Sequence, residues 1–320
     1  MYIIATTLSD YLAKSASYKN ASSDSQEKFR IIGSQFSTIT GFKAATIRTL
    51  YSRRTVEGER IIKPFSTKEA AIFRELKKEI DPTISIEDNF IRLLTTEFIK
   101  KQVETVRDIS IDSLNTNPIL GRALKFDTPK ELLRYYVYSS ATRGIVTSMG
   151  TLIEQLLLYS NHDVYDGKYY KEGLVNKWDI VIERLGSVRT YIEVKSGPND
   201  MDHTQVNSYV REIRALEEAG YKGLFGFGYG RRGEDYITTK FLQKQMEDWE
   251  EHTLIGRELW DYVSGNPGYH IHLMSVIKQT SASILKSKSI VKLIELKIKE
   301  LTEQFEMRFP DVDAYYAQLW

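Results

Sequence analysis

Between Trp178 and Lys195 apolar and polar residues alternate in two short runs, broken by Leu185-Gly186-Ser187. Val181 is the one exception to the alternation. A period of two predicts a β-hairpin, with one strand over residues 178–183, a turn at Gly186 and a second strand from Thr190 to Lys195. Centring the turn on Gly186 places Asp179 opposite Glu193. Lys195, two residues along, shares their face. Trp178, Ile180, Ile182, Ile192 and Val194 fall on the other face, the expected core face.

Elsewhere the apolar spacing is mostly helical. Asp24 or Ser25 caps a helix from Gln26, and a second helix follows Gly41. With Arg48, Arg53 and Arg54 near its end, this pair resembles a helix-turn-helix DNA reader, although any αα-hairpin gives the same pattern. Asp88 to Asp108 is a long amphipathic helix with Phe90, Leu93, Leu94, Phe98, Ile99 and Val103 on one side. Residues 115–129 read as loop. Pro129 opens a further helix, and Ser148 to Tyr159 forms an apolar helical stretch in which Glu154 is the single acid. Thr204 to Glu218 is a helix that buries Val206, Tyr209, Val210, Ile213 and Leu216 and is stopped by Gly220. Lys222 to Gly230 reads as a buried, glycine-rich strand followed by an exposed turn at Arg231-Arg232-Gly233. Trp249 and Trp260 sit in helical patterns. Ile284 to Phe305 predicts a helix that covers the sheet or pairs with a second copy. The expected fold is α/β: a small mixed sheet, with the hairpin and glycine-rich strand central, flanked by helices. We expect residues 1–140 to form a mostly helical region and residues 141–320 a second domain built on the sheet.

Composition narrows the chemistry. Hydrophobic residues make up 42% and charged residues 27%, ordinary values for a globular chain. There is no cysteine, which excludes a disulfide framework, a thiolate metal site and a cysteine nucleophile. The start MYIIATTLSD has no basic segment before its short apolar run, so no secretory leader is expected. Nor is a membrane span, and the expected location is the cytoplasm. A net charge of +1 means that nucleic acid must be held by local patches rather than a globally basic surface. No nucleophile elbow supports a serine hydrolase. His270 and His272 alternate as on a strand face, with no third ligand nearby.

Asp179 and Glu193 facing each other on a sheet repel unless a cation lies between them. Oxygen donors of this kind suit Mg²⁺, and a lysine one strand step away can hold or activate an attacking water. Asp179…Glu193-Val194-Lys195 matches the D…(D/E)-x-K signature of the PD-(D/E)xK nucleases, with Trp178 where the family's name has proline. The tripeptide alone also occurs as a solvated ion pair on exposed strands. Taken with Gly197-Pro198, Gln205, the strand GLFGFGYGRRGEDY and GRELWDYVSGNPG, the stretch from about 145 to 275 resembles type II restriction endonucleases of that superfamily, in the group that cuts G/C-rich interrupted palindromes. The resemblance implies that Asp179, Glu193 and the Val194 carbonyl are metal ligands. It implies that Lys195 is catalytic and that Glu154 is contributed from the preceding helix. It also implies Mg²⁺, double-stranded DNA and a homodimer. Candidate DNA contacts are Arg231 and Arg232 beside the glycine-rich strand, Lys168 before the hairpin, and Asn199, His203 and Gln205 after it. Three alternatives stay open: another nuclease of the superfamily, such as a repair enzyme; a modification-dependent endonuclease; and a non-catalytic DNA-binding protein.

Overall fold

The computed structural model describes residues 85–319, apart from 162, 168–169, 171–173 and 176–177, together with a two-residue ladder that pairs Thr55–Val56 with Glu59–Arg60. The helix-turn-helix reading of residues 26–54 lies outside the described residues, as does Lys168. The protein is a mixed α/β structure built on a five-stranded sheet flanked by helices. In chain order its strands are β1 (Val164–Asp166), β2 (Ile180–Ile182), β3 (Thr190–Lys195), β4 (Lys222–Phe227) and β5 (Thr253–Ile255). Their spatial order follows the chain. The first three run antiparallel, and β3, β4 and β5 run parallel.

The hairpin register is the one that a turn at Gly186 requires. Ile180 pairs with Ile192, Val181 with Tyr191 and Ile182 with Thr190. Gly186 takes φ +77°, a conformation that glycine adopts without strain. Parallel β3 and β4 need a crossover, and the helix His203–Glu218 supplies it. Asp202 and Gln205 form a reciprocal capping box at its start, with Gln205 N donating to Asp202 Oδ1 (2.8 Å) and Asp202 N donating to Gln205 Oε1 (3.2 Å). Gly220, at φ +80°, follows its last turn.

The expectation of one polar and one apolar hairpin face needs correction. Both faces are covered. Val181 and Tyr191 lie with Phe225 and Phe227 in a buried cluster under Val206, Ile213 and Leu216 of the crossover helix. Trp178 belongs to this cluster and not to the opposite face, because it leads into β2 and packs edge-on against Tyr191 at 6.1 Å. Ile192 and Gly226 face the other way, toward Leu259 of the helix Arg257–Ser264. A strand buried on both sides reads as a nearly continuous apolar run, which explains why Val181 broke the alternation. The glycines of β4 set how closely these layers approach. A Cβ on Gly223 would lie 2.7 Å from Ile213, and one on Gly226 would lie 2.7 Å from Leu259 and 3.0 Å from Ile192.

Four further expectations are corrected. Residues 129–158 form one continuous helix, with no break before Ser148. Residues 118–123 of the expected loop form a short helix, capped by Asn117, whose side chain accepts from the N–H groups of Ile119 and Leu120. Trp249 sits in a turn, partly buried against the sheet cluster. His270 and His272 lie on the helix Tyr269–Leu285 and pair with Asp261 and Asp88.

The chain divides into two compact units. The described residues up to Leu94 together with Leu152–Ile277 form one, which contains the sheet. Thr95–Thr151 with Lys278–Trp320 form the other. In the second unit Ile294, Ile298, Leu301 and Phe305 of the helix Ile290–Arg308 are buried against Leu132, Leu133, Val137 and Ala141. That apolar stripe is therefore core within its own unit. Neither the sheet nor a second copy is needed to bury it.

Gly226→Val should cost about 1–3 kcal/mol of stability, because a Cβ there has no room. The loss should show as a lower melting temperature. Adding Leu259→Ala should return part of it, and a strictly additive double variant would refute the proposed contact.

Candidate active site

Asp179 immediately precedes β2, and its Oδ2 accepts a hydrogen bond from the Val194 N–H at 2.9 Å. This bond continues the hairpin one step past its last backbone pair, Ile180 with Ile192. In an extended strand a residue's N–H and C=O point to the same side. The Val194 carbonyl is thereby directed at the edge where Asp179 sits.

Glu193 lies in β3, 3% exposed and on the same strand face as Tyr191. Its Oε1 forms an ion pair with Lys195 Nζ at 2.5 Å. Among the described residues its buried Oε2 has no hydrogen-bond partner, a costly state for a carboxylate oxygen. Asp179 is pushed up to about 7, first by burial and then by the negative charges of Glu193 and Glu154. The Val194 N–H and Lys195 act in the opposite direction. The fold thus brings three carboxylates and a lysine within electrostatic reach of one another, against the repulsion of the carboxylates. This donor set suits a hard divalent cation: oxygen ligands, several negative charges and one buried oxygen with no donor among the described residues.

Sequence reasoning read Tyr209 only as core. Its ring packs edge-on against Trp178 at 5.1 Å and Phe225 at 6.0 Å. Its phenol is raised well above the ordinary range by burial and then by the Glu193 carboxylate. Trp178, at the motif's proline position, donates from Nε1 to the buried Glu212 Oε2 at 3.0 Å. An indole anchored at both ends holds the approach to Asp179. The available signal was an inward tyrosine on the crossover helix facing a strand that carries an acid.

The candidate DNA contacts differ in what their side chains already do. Gln205 is committed through its Oε1 to the capping box. Asn199 Oδ1 accepts from the Ile237 N–H at 2.9 Å, which fixes the start of the helix Ile237–Gln245. His203 packs on Phe241 and contacts the Asn207 and Gln245 amides. The Arg232 guanidinium is taken up by Glu258, at 2.7 and 2.9 Å, and by the Thr253 carbonyl at 2.7 Å. Arg231 has an exposed side chain, while its backbone is held in the turn: its N–H donates to the Tyr236 hydroxyl and its carbonyl accepts from the Glu234 N–H. Because β3 and β4 are parallel with Lys195 beside Phe227, the loops carrying Asn199 and Arg231 leave from the same sheet end as Lys195.

A second group of metal-type donors, Glu217, Asp248 and His252, already contains a cation. Arg214 bonds both carboxylates, at 2.6–3.0 Å, and holds the Asp248 carboxyl down at about 2. His252 is buried there with Nδ1 on the Gly223 carbonyl.

A mixed sheet whose central hairpin carries an aspartate opposite a Glu-x-Lys strand is the architecture of the restriction-endonuclease-like class. A family model described as type II restriction endonuclease EcoO109I matches residues 86–284, more than half of the chain, and the protein belongs to that family. The match reaches well upstream of residue 145, where the motif resemblance began. No individual curated protein matches the chain.

The raised Asp179 has a consequence for stability. Below about pH 4 it is protonated both folded and unfolded. As pH rises toward 7 the unfolded chain releases its proton first, so the cation-free fold loses stability across that window. Asp179→Asn should flatten this decline and melt higher at pH 8 when cations are chelated. Identical pH dependence in both proteins would exclude the shift.

Proposed function

We propose that this protein is a Mg²⁺-dependent, site-specific endonuclease that hydrolyses phosphodiesters of double-stranded DNA at a palindromic site. The observation that carries the reading is the convergence of Asp179, Glu193 and Glu154 on one end of the hairpin beside Lys195, with a Glu193 oxygen left without a donor. Family membership supports it. Asp179, Glu193 and the Val194 carbonyl are the groups that would hold the cation, with Glu154 adding negative charge. A divalent cation there supplies a Lewis acid for the phosphate and favours ionisation of water.

The chain's own groups do the rest. Lys195 is anchored by Glu193, so its ammonium is fixed where it can donate to the attacking water or to a non-bridging phosphate oxygen. Water adds to phosphorus, the bond to the leaving sugar oxygen breaks, and that oxygen takes up a proton. Charge builds on the phosphate oxygens in the transition state, and a donor already in place stabilises it without reorganisation. Trp178 and Tyr209 wall the carboxylates from bulk water on the helix side. Arg231 is the candidate reader or phosphate contact at this end, whereas Arg232, Asn199 and Gln205 build the loops that present it.

One site cuts one strand, and a duplex presents two strands related by a twofold axis. A C₂ dimer matches that symmetry. Light scattering should give twice the chain mass, alone or with a short duplex. A monomer in both conditions that still cuts both strands in one binding event would defeat the dimer.

Plasmid digested with Mg²⁺ should give discrete fragments, and Ca²⁺ should support binding without cutting. Glu193→Gln and Lys195→Ala should each lower the rate at least about a hundredfold while melting remains cooperative. Wild-type cutting by either variant rejects the site. A smear would indicate a non-specific nuclease, and no cutting a binding protein.

A further inference from the structure

The proposed site is acidic, and DNA is a polyanion. Cations elsewhere must hold the duplex, yet the chain carries a net charge of only +1. The second unit contains a concave groove of about 430 Å³ at the junction of three segments. Lys100 and Arg107 line it from the helix Ile86–Asp108, and Lys286 and Lys288 from the connection between the last two long helices. Glu104 is the one acid in the lining, and Val103, Leu285 and Leu293 form an apolar floor. All four cations are exposed, and among the described residues none forms an ion pair. Elsewhere the arginines Arg134, Arg214, Arg232 and Arg308 are each paired with a carboxylate.

The same loop carries one of the two non-glycine residues at positive φ among the described residues, the other being Lys125. Lys286 has φ +52°, a left-handed conformation in which a side chain is strained and glycine or asparagine is preferred. The turn is held by Lys286 N on the Ala282 carbonyl and by Lys292 Nζ on the Ser287 carbonyl. Strain retained at a polar surface position points to a use for the side chain that sits there.

We infer that this groove is a contact for the phosphate backbone of duplex DNA, separate from the cleavage site and indifferent to sequence. The inference rests on the DNA-cleaving reading above. Each phosphate neutralised by a lysine or arginine releases counterions, with a slope of about 0.9 in log affinity against log salt. Charge alone selects the occupant: four unpaired cations with a single acid fit an anionic backbone and not an apolar partner.

The test uses fluorescence anisotropy with the full chain, Ca²⁺ and labelled duplexes of several sequences, over a salt series. Lys286→Gln/Lys288→Gln should reduce the salt slope by about 2 and weaken low-salt binding roughly tenfold, equally for every sequence. Lys286→Gly should bind more weakly yet melt no lower than wild type, since glycine relieves the left-handed strain. Opposite signs in binding and stability are not produced by a merely structural lysine. Unchanged affinity and slope in both variants, with wild-type binding intact, overturn the groove alone. A loss confined to one sequence overturns a backbone role. A wild-type chain that binds no duplex overturns both this inference and the cleavage reading.

Discussion

The end of the sheet that carries the candidate site depends on the hydrogen bond from the Val194 N–H to Asp179. The backbone ladder stops at Ile180 and Ile192, and a side chain takes over where a backbone acceptor would otherwise sit. That substitution holds the aspartate against the strand carrying Glu193 and Lys195. It also aims the Val194 carbonyl at the same edge. A slip of one residue would turn Glu193 and Lys195 to the opposite face, toward the helix Arg257–Ser264. The register and the candidate site are therefore set by the same constraint.

Holding three carboxylates together works against folding. Burial and mutual repulsion drive Asp179 up to about 7, and one Glu193 oxygen is left without a donor. Lys195 offsets part of this charge through its ion pair with Glu193. Strain of this kind concentrates where a protein binds or reacts. The surrounding structure bears it through apolar packing: Trp178, Tyr191, Phe225 and Phe227 are each at most 1% exposed. By contrast, the Glu217, Asp248 and His252 group carries its own arginine, and no such imbalance survives there.

Glycines in β4 make the two-sided burial possible. Gly223 admits Ile213 from one face and Gly226 admits Leu259 from the other. Helices seated this closely keep water from both sides of the strand pair that carries the site. Loops at the sheet end then inherit fixed positions, through the bond from Ile237 N–H to Asn199 and through Arg232 on Glu258. Several polar residues near the candidate site thus serve the loops around it.

By itself the sequence determined the hairpin and its register, because a turn at Gly186 and a period of two leave one alignment. It determined the crossover helix through the 206–216 spacing and the stop at Gly220, and it named Asp179, Glu193 and Lys195 as one constellation. These are local features, set by dihedral preference and by spacing along one segment. Tertiary structure decided what depends on approach from elsewhere. It placed Trp178 against Tyr191 and Tyr209, covered both hairpin faces, and brought the charge of Glu154 to bear on Asp179. It also took Arg232 out of the free cations by giving it Glu258, and turned His270 and His272 onto a helix. No periodicity encodes these outcomes, since each is fixed by which distant segment comes to lie against the residue.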